Sequence, residues 1–107
     1  MTVSTVVVLV TAPSPAVADQ IVTAIVEERL AACGNIVPRV TSIYRWQEVV
    51  QRDEESLIVF KTTRVMVPRM MARIAALHPY EVPEALVLPV EAGLAPYLAW
   101  VTANSNG

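Results

Sequence analysis

The sequence predicts an α+β fold with the element order β-α-β-β-α-β, and three observations carry that expectation. The chain opens on a β-branched run, VSTVVVLVT from Val3 to Thr11. Two stretches of helical period, SPAVADQIVTAIVEERLAA and VPRMMARIAALH, each place a proline near their start, and two β-rich segments separate them. The length of 107 residues holds one compact domain with one core, numbered 1–107, and is too short for two ordinary domains.

Val3 to Thr11 has no polar alternation in its second half, as expected of a central strand covered on both faces. Ser14 is a candidate N-cap and Pro15 takes the first helical position, where a missing N–H costs nothing. Val17, Ile21, Ala24, Ile25 and Glu28 then follow one helical face, apolar up to its last member, and the helix is expected to end before Gly34. Asn35 to Gln47 is rich in Val, Ile, Thr, Tyr and Trp and reads as a second strand, with Pro38 restricting its beginning to an edge or a bulge. RDEESLIVFKTT passes from charged to apolar, so that Leu57 to Thr62 form the inner half of a third strand paired with the second in a long hairpin. The tip near Gln47 and Glu48 has no Asn-Gly or Asp-Gly, and its turn type is not readable.

Val67, Met70, Met71, Ile74 and Leu77 form the apolar stripe of a second helix. Pro79 then biases His78 away from helical dihedrals and Pro83 does the same to Val82, so LHPYEVPE is a rigid helix-to-strand passage leading to a fourth strand at about Ala85 to Leu88. Pro96, Tyr97, Leu98, Trp100 and Val101 read as a short terminal helix, and residues 102–107, TANSNG, as a polar tail that frays. This order is the split βαβ, ferredoxin-like arrangement, with an antiparallel sheet and both main helices on one face. Its other face is left bare, and with Tyr44 and Trp46 on a long hairpin this predicts a homo-oligomer.

Composition narrows the function classes. Hydrophobic residues make up 54% and charged residues 17%, the reverse of a disordered chain. A net charge of −2 removes the basic footprint of a nucleic-acid binder. The longest apolar runs are far short of a membrane span, no basic region followed by a long apolar stretch opens the chain, and the single cysteine, Cys33, suits a reducing compartment, so a cytoplasmic location without a membrane partner is expected. The three glycines form no phosphate-cradling loop, so no nucleotide or other organic cofactor is expected.

Five ordered blocks, VVVLVTAPS, ERLAACGNIVPRVTSIYRW, FKTT, LHPYEVPEALVLPV and YLAW, resemble the CutA family of divalent-cation tolerance proteins from about Val6 to Trp100. The resemblance implies a small cytoplasmic ferredoxin-like protein that forms a homotrimer, is similar in architecture to the PII signalling proteins, and serves tolerance of copper or another divalent metal ion. It also implies a cleft between subunits lined by Cys33, Tyr44, Trp46, Lys61, Thr62, His78, Tyr80, Glu81 and Trp100. The chain departs from the family pattern at Gly34, where Val is usual, and at Glu48, where the hairpin often has Gly. Val10 and Leu77 stand where some copper-associated members carry Cys and a second His, leaving only His78 of that set.

Cys33 and His78 are the residues with soft or borderline donor atoms suited to copper or zinc. Two donors do not close a site, so Glu81, Met66 or another subunit must contribute. Against the metal reading stand a His78 that simply caps the second helix and a Cys33 that is a small buried hydrophobe. Met70 and Met71 are expected in the core, Lys61 and Glu81 as an ordinary salt bridge, and Tyr44, Trp46 and Trp100 as interface anchors rather than a stacking platform. The expected function is non-enzymatic divalent-metal binding by a trimer. The alternative is a PII-like trimeric regulator whose cleft takes a small anionic metabolite or a partner. A third reading is a hydrolase or other enzyme using Cys33 and His78 as nucleophile and base.

Overall fold

The computed structural model describes residues 4–107, so the expected strand start at Val3 lies outside the described residues. The elements are β1 (Thr5–Ala12), α1 (Pro15–Glu27), β2 (Cys33–Trp46), β3 (Val49–Thr63), a 3-10 turn (Arg64–Met66), α2 (Val67–Leu77), β4 (Leu86–Pro89) and α3 (Ala95–Ala103). The strands form one sheet in the order β2-β3-β1-β4, with all three pairings antiparallel. This is the expected ferredoxin-like order.

The side-chain period of two divides the sheet. On one face Val6, Val8, Val10 and Ala12 of β1 join Ile58 and Phe60 of β3 in a core with Ala18, Ile21 and Ile25 of α1 and Met70 and Ile74 of α2. The register sets Val8 opposite Phe60 and Val10 opposite Ile58, so these side chains stand in cross-strand pairs beneath the helices. On the other face Val7 and Leu9 sit beside Leu88 and Leu86 of β4 and Val59 of β3. Here β1 is only half-covered, and Leu86 and Leu88 stay 56% and 47% exposed. The expectation of a first strand covered on both faces is therefore met on the helix side alone.

Local chemistry fixes the helix ends. The Ser14 hydroxyl accepts from the Val17 N–H at 3.2 Å, and Pro15 follows it. At the other end Arg29 takes φ 59°, and the Leu30 N–H returns to the Ile25 carbonyl at 3.0 Å, the backbone pattern that normally recruits glycine. Gly34 matters for space instead. A Cβ there would stand 2.9 Å from Val22 Cγ1 and 3.0 Å from the Phe60 ring, so its lack of a side chain lets α1 close on the sheet. His78 has φ −80° and ψ 134°, the extended conformation that Pro79 demands of its neighbour.

The hairpin closes through Gln47 and Glu48, both at positive φ (50° and 70°), which makes it a two-residue turn of the I′ kind built without glycine. Between Val37 and Val40 of β2 the register slips by one residue against Leu57 and Glu55 of β3. Pro38 and Arg39 are the bulge that proline suggested; the Pro38 carbonyl accepts from the Ser56 hydroxyl at 2.8 Å, and Arg39 pairs with Glu54 at 2.9 Å. One correction concerns the tail. Thr102 and Ala103 belong to α3, Ser105 is buried, and the Gly107 N–H reaches the Arg29 carbonyl at 3.0 Å, because buried Val101 anchors the last helical turn against the protein.

Two substitutions test this description. Glu48→Gly relieves a left-handed residue at some entropic cost and is expected to stabilise the protein by about 0.5–1 kcal/mol. Gly34→Ala forces Val22 and buried Phe60 apart and is expected to destabilise it by about 1–3 kcal/mol. Urea denaturation at one fixed protein concentration reads both, and opposite signs to these would contradict the turn and the close approach.

Candidate functional site

The bulge decides which residues of the outer hairpin share the open face. Before it the odd-numbered residues of β2, Cys33, Asn35 and Val37, lie opposite Lys61, Val59 and Leu57. After it the even-numbered ones, Ser42, Tyr44 and Trp46, lie opposite Asp53, Gln51 and Val49. On β3 the parity never changes, so the extra residue moves Tyr44 and Trp46 onto the open face and turns Ile43 and Arg45 to the other.

There the hairpin meets the passage after α2. A cavity of about 570 Å³ is lined by Thr11 of β1, by Ser42, Ile43, Tyr44 and Trp46 of β2, by Glu55 of β3, and by Tyr80, Glu81, Val82 and Glu84. The Tyr80 hydroxyl donates to Glu55 Oε2 at 2.7 Å, and the Tyr44 hydroxyl donates to Asp53. Burial and the Glu55 carboxylate hold the Tyr80 phenol well above the usual tyrosine range, and the bond to Asp53 raises that of Tyr44. Among the described residues that line the cavity none is basic.

His78 builds this wall from behind. Its ring is buried, its Nδ1 accepts from the Tyr80 N–H at 3.1 Å, and its Nε2 lies 2.7 Å from the Thr11 carbonyl. A nitrogen that accepts carries no proton, so the proton is on Nε2 and is donated to Thr11. Both nitrogens are thus engaged in tying the passage to the end of β1, and the ring packs against Tyr80 with centroids 4.6 Å apart. This makes His78 more than a cap of α2: it sets the direction of Tyr80 and Glu81.

The residues expected to share a cleft separate into three places. Tyr44, Trp46, Tyr80 and Glu81 converge on the cavity. Cys33 and Lys61 face each other near the other end of the sheet, in line with Val7, four residues along β1 from Thr11 or about 13 Å. There the Cys33 sulfur lies 3.6 Å from the Tyr97 hydroxyl, Tyr97 stacks on Trp100 with centroids 5.6 Å apart, and Lys61 bonds to Asn35 rather than to Glu81. Thr62 is on the opposite face altogether: it is fully buried and donates to the Leu30 carbonyl at 2.6 Å, since its even number on β3 turns it to the helices.

Within one protomer, then, Cys33, His78 and Glu81 do not form a ligand set, and Cys33 cannot use His78 as a base. Among the described residues no three His, Cys, Asp or Glu side chains converge on a point that would hold a metal ion. Sequence reasoning misses Asp53, Glu55 and Glu84. The alternation D-x-E in RDEES is the signal for the first two, because those residues share a strand face with Ser42 and Tyr44 once the hairpin is extended to its tip.

Comparison with known proteins places this arrangement. A family model described as CutA1 divalent ion tolerance protein matches residues 6–104. The divalent-cation tolerance protein CutA of Thermus thermophilus is 54% identical over 100 residues, covering 94% of this chain and 97% of that protein. The human protein CutA is 48% identical over 92 residues, 86% of this chain and 51% of that protein, so the chain spans about half the length of that relative. Among solved structures, the Thermus thermophilus divalent cation tolerance protein superposes with a TM-score of 0.93 at 52% identity, covering 95% of this chain and 99% of that one. The CutA1 structure from Oryza sativa gives a TM-score of 0.95 at 37% identity, covering 98% and 96%. This chain belongs to the CutA1 divalent ion tolerance family.

Proposed function

We propose that the chain works in the cytoplasm as a homotrimer that binds divalent metal ions, copper among them, at clefts between subunits, and that it contributes to metal-ion tolerance as a binding protein rather than an enzyme. The observation that carries this reading is the acidic cavity beside an uncovered apolar sheet face. Val37, Leu86 and Leu88 are exposed there around half-buried Val7, Leu9 and Val59, a surface that favours burial against further copies. Among the described residues no helix is long and apolar enough to cross a membrane.

Closing copies against that face leaves the cavity at its edge, where carboxylates can be shared. Glu81 and Glu84 are exposed at the rim, and the Glu81 carboxylate has no hydrogen-bond or salt-bridge partner among the described residues. Such oxygen donors give a weak site, completed by residues of a second subunit. Of the divalent first-row ions Cu²⁺ binds tightest to a given oxygen or nitrogen site, so copper is the ion expected to bind best. His78 acts here as a positioning residue, because coordination would cost it the bond to Thr11 or the one from Tyr80. Cys33, on the other end of its own sheet, supplies no donor to the Glu81 of the same protomer.

The alternative ligand, a small anionic metabolite, has less support. The charged side chains lining the cavity are Glu55, Glu81 and Glu84, which repel an anion.

Calorimetric titration with Cu²⁺ tests the proposal. Glu81→Gln is expected to lower the affinity at least fivefold with the fold intact. His78→Gln is expected to keep the affinity within twofold while lowering the melting temperature, through loss of a buried hydrogen bond worth about 1–3 kcal/mol. Absence of metal binding to the wild-type protein contradicts the proposal. An equal loss from the two variants puts the imidazole in the coordination shell and overturns its positioning role.

A further inference from the structure

The cavity has a second chemical character that a metal ion does not use. A bare divalent cation asks for several oxygens around one point, and such a convergence of three acidic, His or Cys groups is absent among the described residues. The carboxylates are instead spread around a space of about 570 Å³ whose lining includes Tyr44, Trp46 and Tyr80, residues that remain 41%, 40% and 36% exposed. We propose that this cavity binds a small organic ammonium cation, a primary or quaternary amine, held by the faces of these aromatic rings and by Glu81 and Glu84 at the rim. The inference goes beyond the metal reading and does not rest on it.

Three features support that chemistry together. An ammonium group over an indole or phenol face is attracted by the ring quadrupole, and Trp46 offers the strongest such face. The two phenol hydroxyls each donate to a carboxylate, Tyr44 to Asp53 and Tyr80 to Glu55, which pushes electron density back into the rings and strengthens their pull on a cation. No Lys or Arg lines the space among the described residues, so its negative charge is not neutralised from within. Acidic groups alone would suit any cation; the aromatic walls select one with an apolar, weakly hydrated surface. The rings also sit where a register device put them, since the bulge at Pro38 and Arg39 sets Tyr44 and Trp46 on the open face of the sheet, with Ile43 joining the lining beside them.

The test is calorimetric titration of the purified full chain with choline, with putrescine and with 3,3-dimethylbutan-1-ol, the neutral isostere of choline. Trp46 fluorescence in a Trp100→Phe background gives a second readout, because Trp100 lies with Tyr97 in α3, outside the cavity lining. At least one of the two amines is expected to bind at least tenfold more tightly than the neutral alcohol and to weaken as salt rises. Glu81→Gln and Glu84→Gln, both exposed and isosteric, are each expected to weaken it threefold or more, and Trp46→Leu to weaken it at least fivefold. Which amine binds better distinguishes ring-dominated from carboxylate-dominated recognition within the same class. Equal binding of the neutral alcohol, no binding of either amine, or indifference to both Glu variants overturns the inference. Copper titration of the same samples keeps the two readings apart: a protein that takes copper and no amine loses this inference alone, and one that takes an amine and no copper loses the metal reading alone.

Discussion

A four-stranded sheet that carries its two main helices on one face must do something with the other, and most of the structure follows from that constraint. On the covered face lie the largest fully buried apolar side chains, among them Phe60, Ile58, Ile21, Ile25 and Ile74, all essentially inaccessible. Each contributes about 1.5–3 kcal/mol by leaving water, and Gly34 lets the helix come close enough to seal them. The uncovered face is also apolar, from Val7 and Leu9 in the centre to Leu86 and Leu88 at the edge. A face of this composition is not a resting surface for a protein in water. It accounts for the assembly proposed above and for a cavity at the margin of that face rather than within the core.

Register is what gives the margin its chemistry. The single extra residue in β2 keeps the inner hairpin aligned with the core while placing Tyr44 and Trp46 on the same sheet face as Glu55. The passage from α2 to β4 then closes the cavity from the side, held by a histidine whose two nitrogens join the start of the passage to the end of β1. Sheet, bulge and buried imidazole together make one rigid wall of aromatic rings and carboxylates. Rigidity matters here because a cation recognised by ring faces needs those faces in place before it arrives.

Much of this is legible in the sequence, for reasons that differ by element. β1 and α2 declare themselves through an unbroken β-branched run and a clean helical stripe, and Pro79 forces the extended His78. Pro38 announces a bulge, yet the parity change it causes cannot be read, because the pairing partner in β3 is fixed only by the tertiary register. That is why Asp53 and Glu55 do not stand out in the sequence. Thr62 falls among the expected cleft residues through the family resemblance alone, although as the neighbour of Lys61 on one strand it faces the helices. The turn at Gln47 and Glu48 is hidden because residues other than glycine fill both left-handed positions, as Arg29 does at the end of α1. His78 attracts attention as a candidate metal ligand by being the one histidine in the chain, and only three-dimensional contacts show both of its nitrogens occupied.

The family membership fixes the coarse role, and the proposed site rests on the open sheet face. Shared clefts require that the apolar face be buried between copies, so the state of association comes before any question about ligands. Sedimentation equilibrium of the purified chain at micromolar concentration tests this most directly. The account predicts a single species of three chains, which Leu86→Glu combined with Leu88→Glu dissociates by placing charge on the face. A folded wild-type chain that sediments as one copy would contradict it.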